Sequence, residues 1–233
     1  MARQIVPFGC SDKLLNETWT PGRDLANIPS PFRMLLLGPP GVGKTAVIKN
    51  LVVAQKPWFD EVFVIHEDAL ATREYFVLDP TAMLDDIPPL DFWDTLPTEM
   101  RDENTGLMRP VKRLCIVDDL EYTRAHRDRL KNLAILFRYA SSHKGISICL
   151  AHQSYFDVPI LVKKVSNVFV LWRPRALNEL TLIANRCGLE KSQLTELFNR
   201  FCPDARDSIT IDFTRNSPAM MRINLWRVIP APP

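Results

Sequence analysis

The sequence predicts an α/β fold: a mainly parallel central sheet flanked by helices and finished by a C-terminal β-hairpin. Three stretches carry that expectation. Met34-Leu35-Leu36-Leu37 is a short apolar strand running into Gly38-Pro39-Pro40-Gly41-Val42-Gly43-Lys44-Thr45, which fills G-x-x-x-x-G-K-[ST] at every fixed position and opens a helical period. Leu114-Cys115-Ile116-Val117 is apolar without alternation, as a strand buried on both faces should be, and stops at Asp118-Asp119. Gly145 to Ala151 is a further buried strand, followed by His152-Gln153-Ser154. Strand, helix and strand in this order make right-handed parallel crossovers.

The 233 residues fit one such domain with additions. With 46% hydrophobic residues a sizeable core can be buried, while a net charge of +2 is too mild to mark a nucleic-acid binder by itself. Contact with DNA must therefore come from local patches or from subunits set side by side. Five cysteines, Cys10, Cys115, Cys149, Cys187 and Cys202, lie far apart and mostly inside apolar runs, which argues for free thiols in a reducing compartment. No run approaches the length of a membrane span and the amino terminus lacks a signal pattern, so a soluble intracellular protein with no transmembrane segment is expected.

Taken in order, residues 1–31 form an arm, rich in proline (Pro7, Pro21, Pro29, Pro31) with Phe8 and Trp19 and without a period. The nucleotide domain spans 32–233. In its phosphate loop, Gly38, Gly41 and Gly43 free the backbone to aim successive N–H groups into one concavity. Pro39, Pro40 and Val42 complete the wall, and the following helix adds its positive end. Lys44 reaches outer phosphates and Thr45 offers its hydroxyl to Mg2+, so a nucleoside triphosphate is the expected ligand. Val47, Ile48, Leu51 and Val52 give a helix over 45–55 that Pro57 stops, and Glu61 to Ile65 is a second buried strand. Residues 66–112 then read as an irregular acidic insertion punctuated by Pro80, Pro88, Pro89, Pro97 and Pro110. It is expected as loop with one or two short helices, pinned by Leu90, Phe92, Trp93 and Leu96, with 98–110 mobile.

Asp118-Asp119 stands at the carboxyl end of its strand, where open α/β sheets bind ligands. Asp118 is the expected metal holder and Asp119 the general base for attacking water, with Glu121 in reserve. A helix over 123–142 sets Leu130, Leu133 and Phe137 on one side and Arg124, Arg127, Lys131 and Arg138 on another. The basic stripe is either a solvated face or a contact for phosphates of DNA or of a neighbour's nucleotide. Gln153, at the tip of the strand beside Asp118, is placed to sense the γ-phosphate or position water, while His152 reads as structural. Val168 to Trp172 is the last core strand. Two amphipathic helices follow, carrying Leu177, Leu180, Ile183 and Cys187, then Leu194, Leu197, Phe198 and Phe201 with Ser192 as cap. A hairpin within 206–229 turns at Asn216-Ser217-Pro218, and a loose tail, Pro230 to Pro233, ends the chain.

PFRMLLLGPPGVGKT, LCIVDDLE, SSHKGISICLAHQSYFDVPILVKKVSN and WRPR together resemble the genome-packaging ATPases of tailless icosahedral double-stranded DNA viruses. These form a branch of the FtsK–HerA class found in poxviruses, virophages and Polinton-like elements. The resemblance runs from about Pro31 to Leu189, and Ser142 to Pro159 is its more specific part. It implies a RecA-like sheet of the additional-strand type, a pentameric or hexameric homo-oligomeric ring, and ATP-driven translocation of double-stranded DNA into a preformed capsid. The docking partner would be a capsid or internal-membrane vertex protein, and the site of action the virion vertex and the infected host cell interior. By motif position Lys44 and Thr45 carry the loop roles, Asp118 the metal, Asp119 the catalytic carboxylate and Gln153 the sensor. Many relatives have Asp-Glu where this chain has Asp118-Asp119, and an Arg-His or His-His pair where it has Ser142-His143-Lys144. The inter-subunit arginine is therefore assigned to Arg175, with Arg138 and Arg173 open. A remodelling ATPase of the AAA+ kind, a P-loop small-molecule kinase and a nucleotide-gated DNA clamp are the competing readings.

Overall fold

The structure is a computed structural model and describes residues 20–55, 58–69, 73–123, 125–215 and 220–229. The arm's Pro7, Phe8 and Trp19, together with Cys10, Pro57, Arg124, the Asn216 to Pro218 turn and the Pro230 to Pro233 tail, lie outside the described residues.

In chain order the elements are β1 (Arg33–Leu37), α1 (Lys44–Ala54), β2 (Glu61–Ile65), a 3-10 turn (Phe76–Leu78), β3 (Ala82–Leu84), α2 (Leu90–Thr95), β4 (Glu99–Arg101), β5 (Met108–Pro110) and β6 (Arg113–Asp118). There follow α3 (Arg127–Ile135), which runs on through a π-helical turn (Leu136–Ala140) to Ser141–His143, then β7 (Ile146–His152), α4 (Ile160–Val165), β8 (Val168–Leu171), α5 (Leu177–Arg186), α6 (Lys191–Phe201), β9 (Ile209–Asp212), β10 (Met221–Ile223) and β11 (Arg227–Val228). Among the described residues nine strands form one sheet in the order β11-β10-β9-β8-β1-β7-β6-β2-β3. From β8 to β3 every pairing is parallel, whereas β9, β10 and β11 are added antiparallel. One strand, β7, thus stands between the phosphate-loop strand and the strand that ends in Asp118, which is the arrangement that the additional-strand type requires.

The period-two pleat explains why the central strands are apolar on both faces. In β1, Met34 and Leu36 join one buried cluster with Ile48, Leu51 and Val52 of α1, while Leu35 and Leu37 join another with Leu133, Val162, Ile183 and Phe198 of α3 to α6. Burying each such side chain contributes about 1.5–3 kcal/mol.

Several local expectations change. The 66–112 insertion supplies β3, which extends the main sheet beside β2, and 98–110, expected as mobile loop, is the β4–β5 hairpin. Its turn is fixed by the Asp102 carboxylate, which accepts the N–H groups of Asn104 and Thr105, with Gly106 at φ 69°. Arg109 holds the hairpin to the body through Asp60 (2.6 Å) and braces its own turn through Asp102 (3.1 Å). The helix expected from residue 123 starts at Arg127. The cap of α6 is Glu190, not Ser192: Glu190 accepts the N–H three residues on and its own N–H donates to the Gln193 side chain, a reciprocal box that Ser192, inside the first turn, cannot make.

Residues 20–31, the described part of the arm, pack on the C-terminal strands. Asp212, 1% exposed, takes the Arg23 and Arg222 guanidiniums, and Arg222 also donates to the carbonyls of Ala26 (3.1 Å) and Asn27 (2.9 Å). Buried charge of this kind is tolerated because each partner is hydrogen-bonded.

Candidate functional site

The strand register gathers the site. Leu37 at the end of β1 pairs with His152 of β7 and with Leu171 of β8, and Asp118 at the end of β6 pairs with Ala151 of β7. The segments leaving these ends, Gly38 to Thr45, Asp119, Gln153 and Trp172 to Arg175, therefore emerge along one edge of the sheet.

The phosphate loop wraps from β1 into α1, with Gly41 at φ 78° and Gly43 at φ 106° supplying the left-handed turns that side chains resist. Gly38 is required for a different reason: a Cβ there would lie 2.7 Å from the Trp172 Cβ. Trp172 is itself fixed, 1% exposed with its indole N–H donating to Arg206 O at 3.0 Å. Gly38→Ala is accordingly expected to cost about 1–3 kcal/mol, read as a fall in melting temperature of roughly 2–4 °C per kcal/mol at this chain length, with weaker nucleotide binding.

Lys44 Nζ donates to Gly38 O (2.6 Å) and Pro39 O (3.0 Å), so the ammonium sits in the loop's concavity. Burial pulls it below the usual lysine range, while Asp118 and Asp119 pull it back. Thr45 Oγ1 lies 3.2 Å from Asp118 Oδ2, which also accepts the Tyr75 hydroxyl. Burial pushes the Asp118 carboxyl above the usual carboxylate range, against the lowering effect of the Tyr75 and Thr45 hydrogen bonds. A buried carboxylate beside a hydroxyl is a hard-oxygen donor pair, and it fits magnesium held between loop and sheet. Asp119, exposed, turns back at φ 55°, a left-handed conformation that Asp tolerates better than most residues, and its Oδ1 faces Gln153 Nε2 at 3.4 Å.

A cleft of about 170 Å³ lies against the loop, lined by Gly38, Pro39, Pro40, Gln153, Arg175 and Glu179 among others. Arg175 thus lines the cleft beside the phosphate loop of its own chain. Glu121, His152 and the described residues of the basic stripe do not line this cleft. Glu121 is exposed, its N–H on Glu67 and its carbonyl on Arg129, and among the described residues no side-chain contact brings it to the loop. His152 is tied to Ser154 and set against the Tyr122 ring. Of the basic stripe, Arg127, Lys131 and Arg138 are exposed, whereas the neighbouring Arg129 is spent on Glu67 and Asp86.

No family model matches the chain, and no curated protein does. Solved structures are similar to it. The genome packaging NTPase B204 of Sulfolobus turreted icosahedral virus 2, in complex with sulfate, superposes at TM-score 0.55 and 14% identity over 86% of this chain and 97% of that one. The cytoplasmic domain of the type VII secretion ATPase EccC of Thermomonospora curvata gives 0.53 and 12% over 83% of this chain and 25% of that. The conjugation coupling protein TcpA of pCW3, with ATPγS, gives 0.51 and 11% over 86% and 60%. The fold is that of a P-loop NTPase.

Two residues of this P-loop NTPase domain escape a motif reading. Tyr75 lies in the insertion, where nothing in the spacing marks it. Glu179, in the first turn of α5 and 8% exposed, accepts the N–H of Tyr155 and so fixes the turn that carries Gln153. A glutamate on the apolar face of an otherwise amphipathic helix was its one available signal.

Proposed function

We propose that the chain is a magnesium-dependent ATPase that translocates double-stranded DNA and packages a viral genome into a preformed capsid. The observation that carries this is the register of β1, β7 and β6, which delivers the Lys44 loop, Gln153 and the Asp118-Asp119 pair to one edge. Likeness in fold to chains named as a genome packaging NTPase, a secretion ATPase and a conjugation coupling protein supports it, as do the B204 structures with ATPγS and AMPPCP.

In this reading the loop N–H groups cradle the phosphates and Lys44 exchanges the Gly38 and Pro39 carbonyls for outer phosphate oxygens. Thr45 and Asp118 would hold magnesium, which would supply positive charge against the phosphate oxygens. Asp119 takes the proton of the attacking water, which Gln153 orients from across the gap. Arg175 offers its cation from the cleft wall. Arg127 and Lys131 of α3 and Arg138 of the π-helical turn that follows it are the candidates for DNA phosphate contact. The active form is a pentameric or hexameric homo-oligomeric ring on a capsid or internal-membrane vertex protein, at the virion vertex in the infected host cell and not secreted. No helix among the described residues is long and apolar enough to cross a membrane. Antiparallel strands after α6, where an AAA+ remodelling ATPase appends a helical lid, weigh against that alternative.

The test is ATP turnover by the purified chain with and without double-stranded DNA, together with its mass in solution. Turnover that rises with DNA in a nucleotide-dependent oligomer is expected. A monomer whose turnover ignores DNA overturns the reading; phosphate appearing on an organic acceptor would make it a kinase, and intact ATP after long incubation a clamp.

A further inference from the structure

Asp118 presents its two oxygens unequally. Oδ2 accepts both the Thr45 hydroxyl, at 3.2 Å, and the Tyr75 hydroxyl, at 2.5 Å, while no side chain among the described residues hydrogen-bonds Oδ1. Tyr75 is 0% exposed and belongs to the cluster containing Ile48 and Leu78. It is also held from α1. Lys49, one turn beyond Thr45, lies 5.6 Å from the centre of the Tyr75 ring, and its Nζ pairs with Glu74 at 3.4 Å. The phenol is thus fixed by packing on its ring and by a salt-bridged lysine at its face, with its hydroxyl delivered to one carboxylate oxygen.

A buried tyrosine needs a partner for its hydroxyl, but this one spends it on the carboxylate expected to meet the metal. The consequence is directional: with Oδ2 held from both the loop and the insertion, the carboxylate has less freedom to turn, and Oδ1 is the oxygen left without a side-chain hydrogen bond among the described residues.

We propose that Tyr75 is a positioning residue for the metal: it locks Asp118 through Oδ2 so that Oδ1 faces the cation or its water. This rests on the reading of Thr45 and Asp118 as the metal-holding pair. It also makes the 66–112 insertion, otherwise remote from the motifs, a contributor to the nucleotide site.

The test uses the full chain, a fluorescent ATP analogue (mant-ATP) and a Mg2+ titration, without any need for hydrolysis or DNA. In Tyr75→Phe, which keeps the ring and its packing, the Mg2+ concentration for half-maximal tightening of mant-ATP is expected to rise about tenfold, the scale of one hydrogen bond to a charged group. Affinity measured in EDTA should stay at the wild-type value. A Tyr75→Phe protein with wild-type Mg2+ dependence, or one that loses affinity equally with and without Mg2+, overturns the proposal, the second outcome marking a merely structural tyrosine. Thr45→Ala separates the two levels of inference. If it loses the Mg2+ effect while Tyr75→Phe keeps it, only the role of Tyr75 falls. If Thr45→Ala responds to Mg2+ as wild type does, the metal-holding pair itself is wrong and the role of Tyr75 falls with it.

Discussion

Asp119→Asn is expected to bind ATP and magnesium as the wild type does and to hydrolyse ATP about 10²–10⁴-fold more slowly, the range for loss of a positioned general base. The amide keeps the size of the side chain and its place opposite Gln153, 3.4 Å away, but cannot take a proton from water. Many relatives implied by the sequence resemblance carry glutamate there, and the shorter Asp119 side chain still faces Gln153. Glu121→Gln is expected to leave turnover near wild type, because Glu121 is engaged through its backbone with Glu67 and Arg129. Single-turnover hydrolysis of both variants, beside nucleotide titrations, decides the matter; full turnover in Asp119→Asn with loss in Glu121→Gln would transfer the role to Glu121.

Arg175→Ala should lose about 10²–10³-fold in turnover, the scale for removing one preorganised cationic or hydrogen-bonding group from a transition state. The sequence reading sets Arg175 as the arginine given to a neighbouring subunit. The cleft argues for its own chain, since Arg175 lines it with Gly38 and Gln153. Mixing distinguishes the two. Arg175→Ala subunits combined with Lys44→Ala subunits should remain inactive if each arginine serves its own loop, because every subunit then carries a broken site. Recovery of activity in the mixture would show that a Lys44→Ala subunit lends its arginine across the interface, and would restore the trans assignment.

Legibility in the sequence followed the range of the interactions. The β1 loop, the end of β6 and the tip of β7 were readable because each is a local pattern: glycines at fixed offsets, an unbroken apolar run stopped by carboxylates, a polar residue after a buried strand. Their adjacency was readable too, since parallel crossovers leave few ways to order such strands. Tyr75, by contrast, reaches Asp118 from a stretch with no period, and the bond exists only once β2, β3 and α1 are assembled around it. The β4–β5 hairpin was hidden for a similar reason. Three-residue strands are too short to show alternation, and the Asp102 turn with its Arg109 clasp on Asp60 becomes decisive only in three dimensions. Glu190 displaced Ser192 as a cap by two residues, a distinction that composition cannot draw.

The position of β1 has a further consequence, for how the molecule comes into being. Its strand partners are β7 and β8, both made long after the phosphate loop has left the ribosome. The earlier strands β2, β3 and β6 can pair among themselves in the meantime, while the loop hangs from a strand with no neighbour. Non-local pairing of this sort is slow because the intervening chain must be closed first. Competence to hold nucleotide is therefore acquired late in synthesis, when β8 seats against β1, and a prematurely ended chain carries the complete motif without the means to use it.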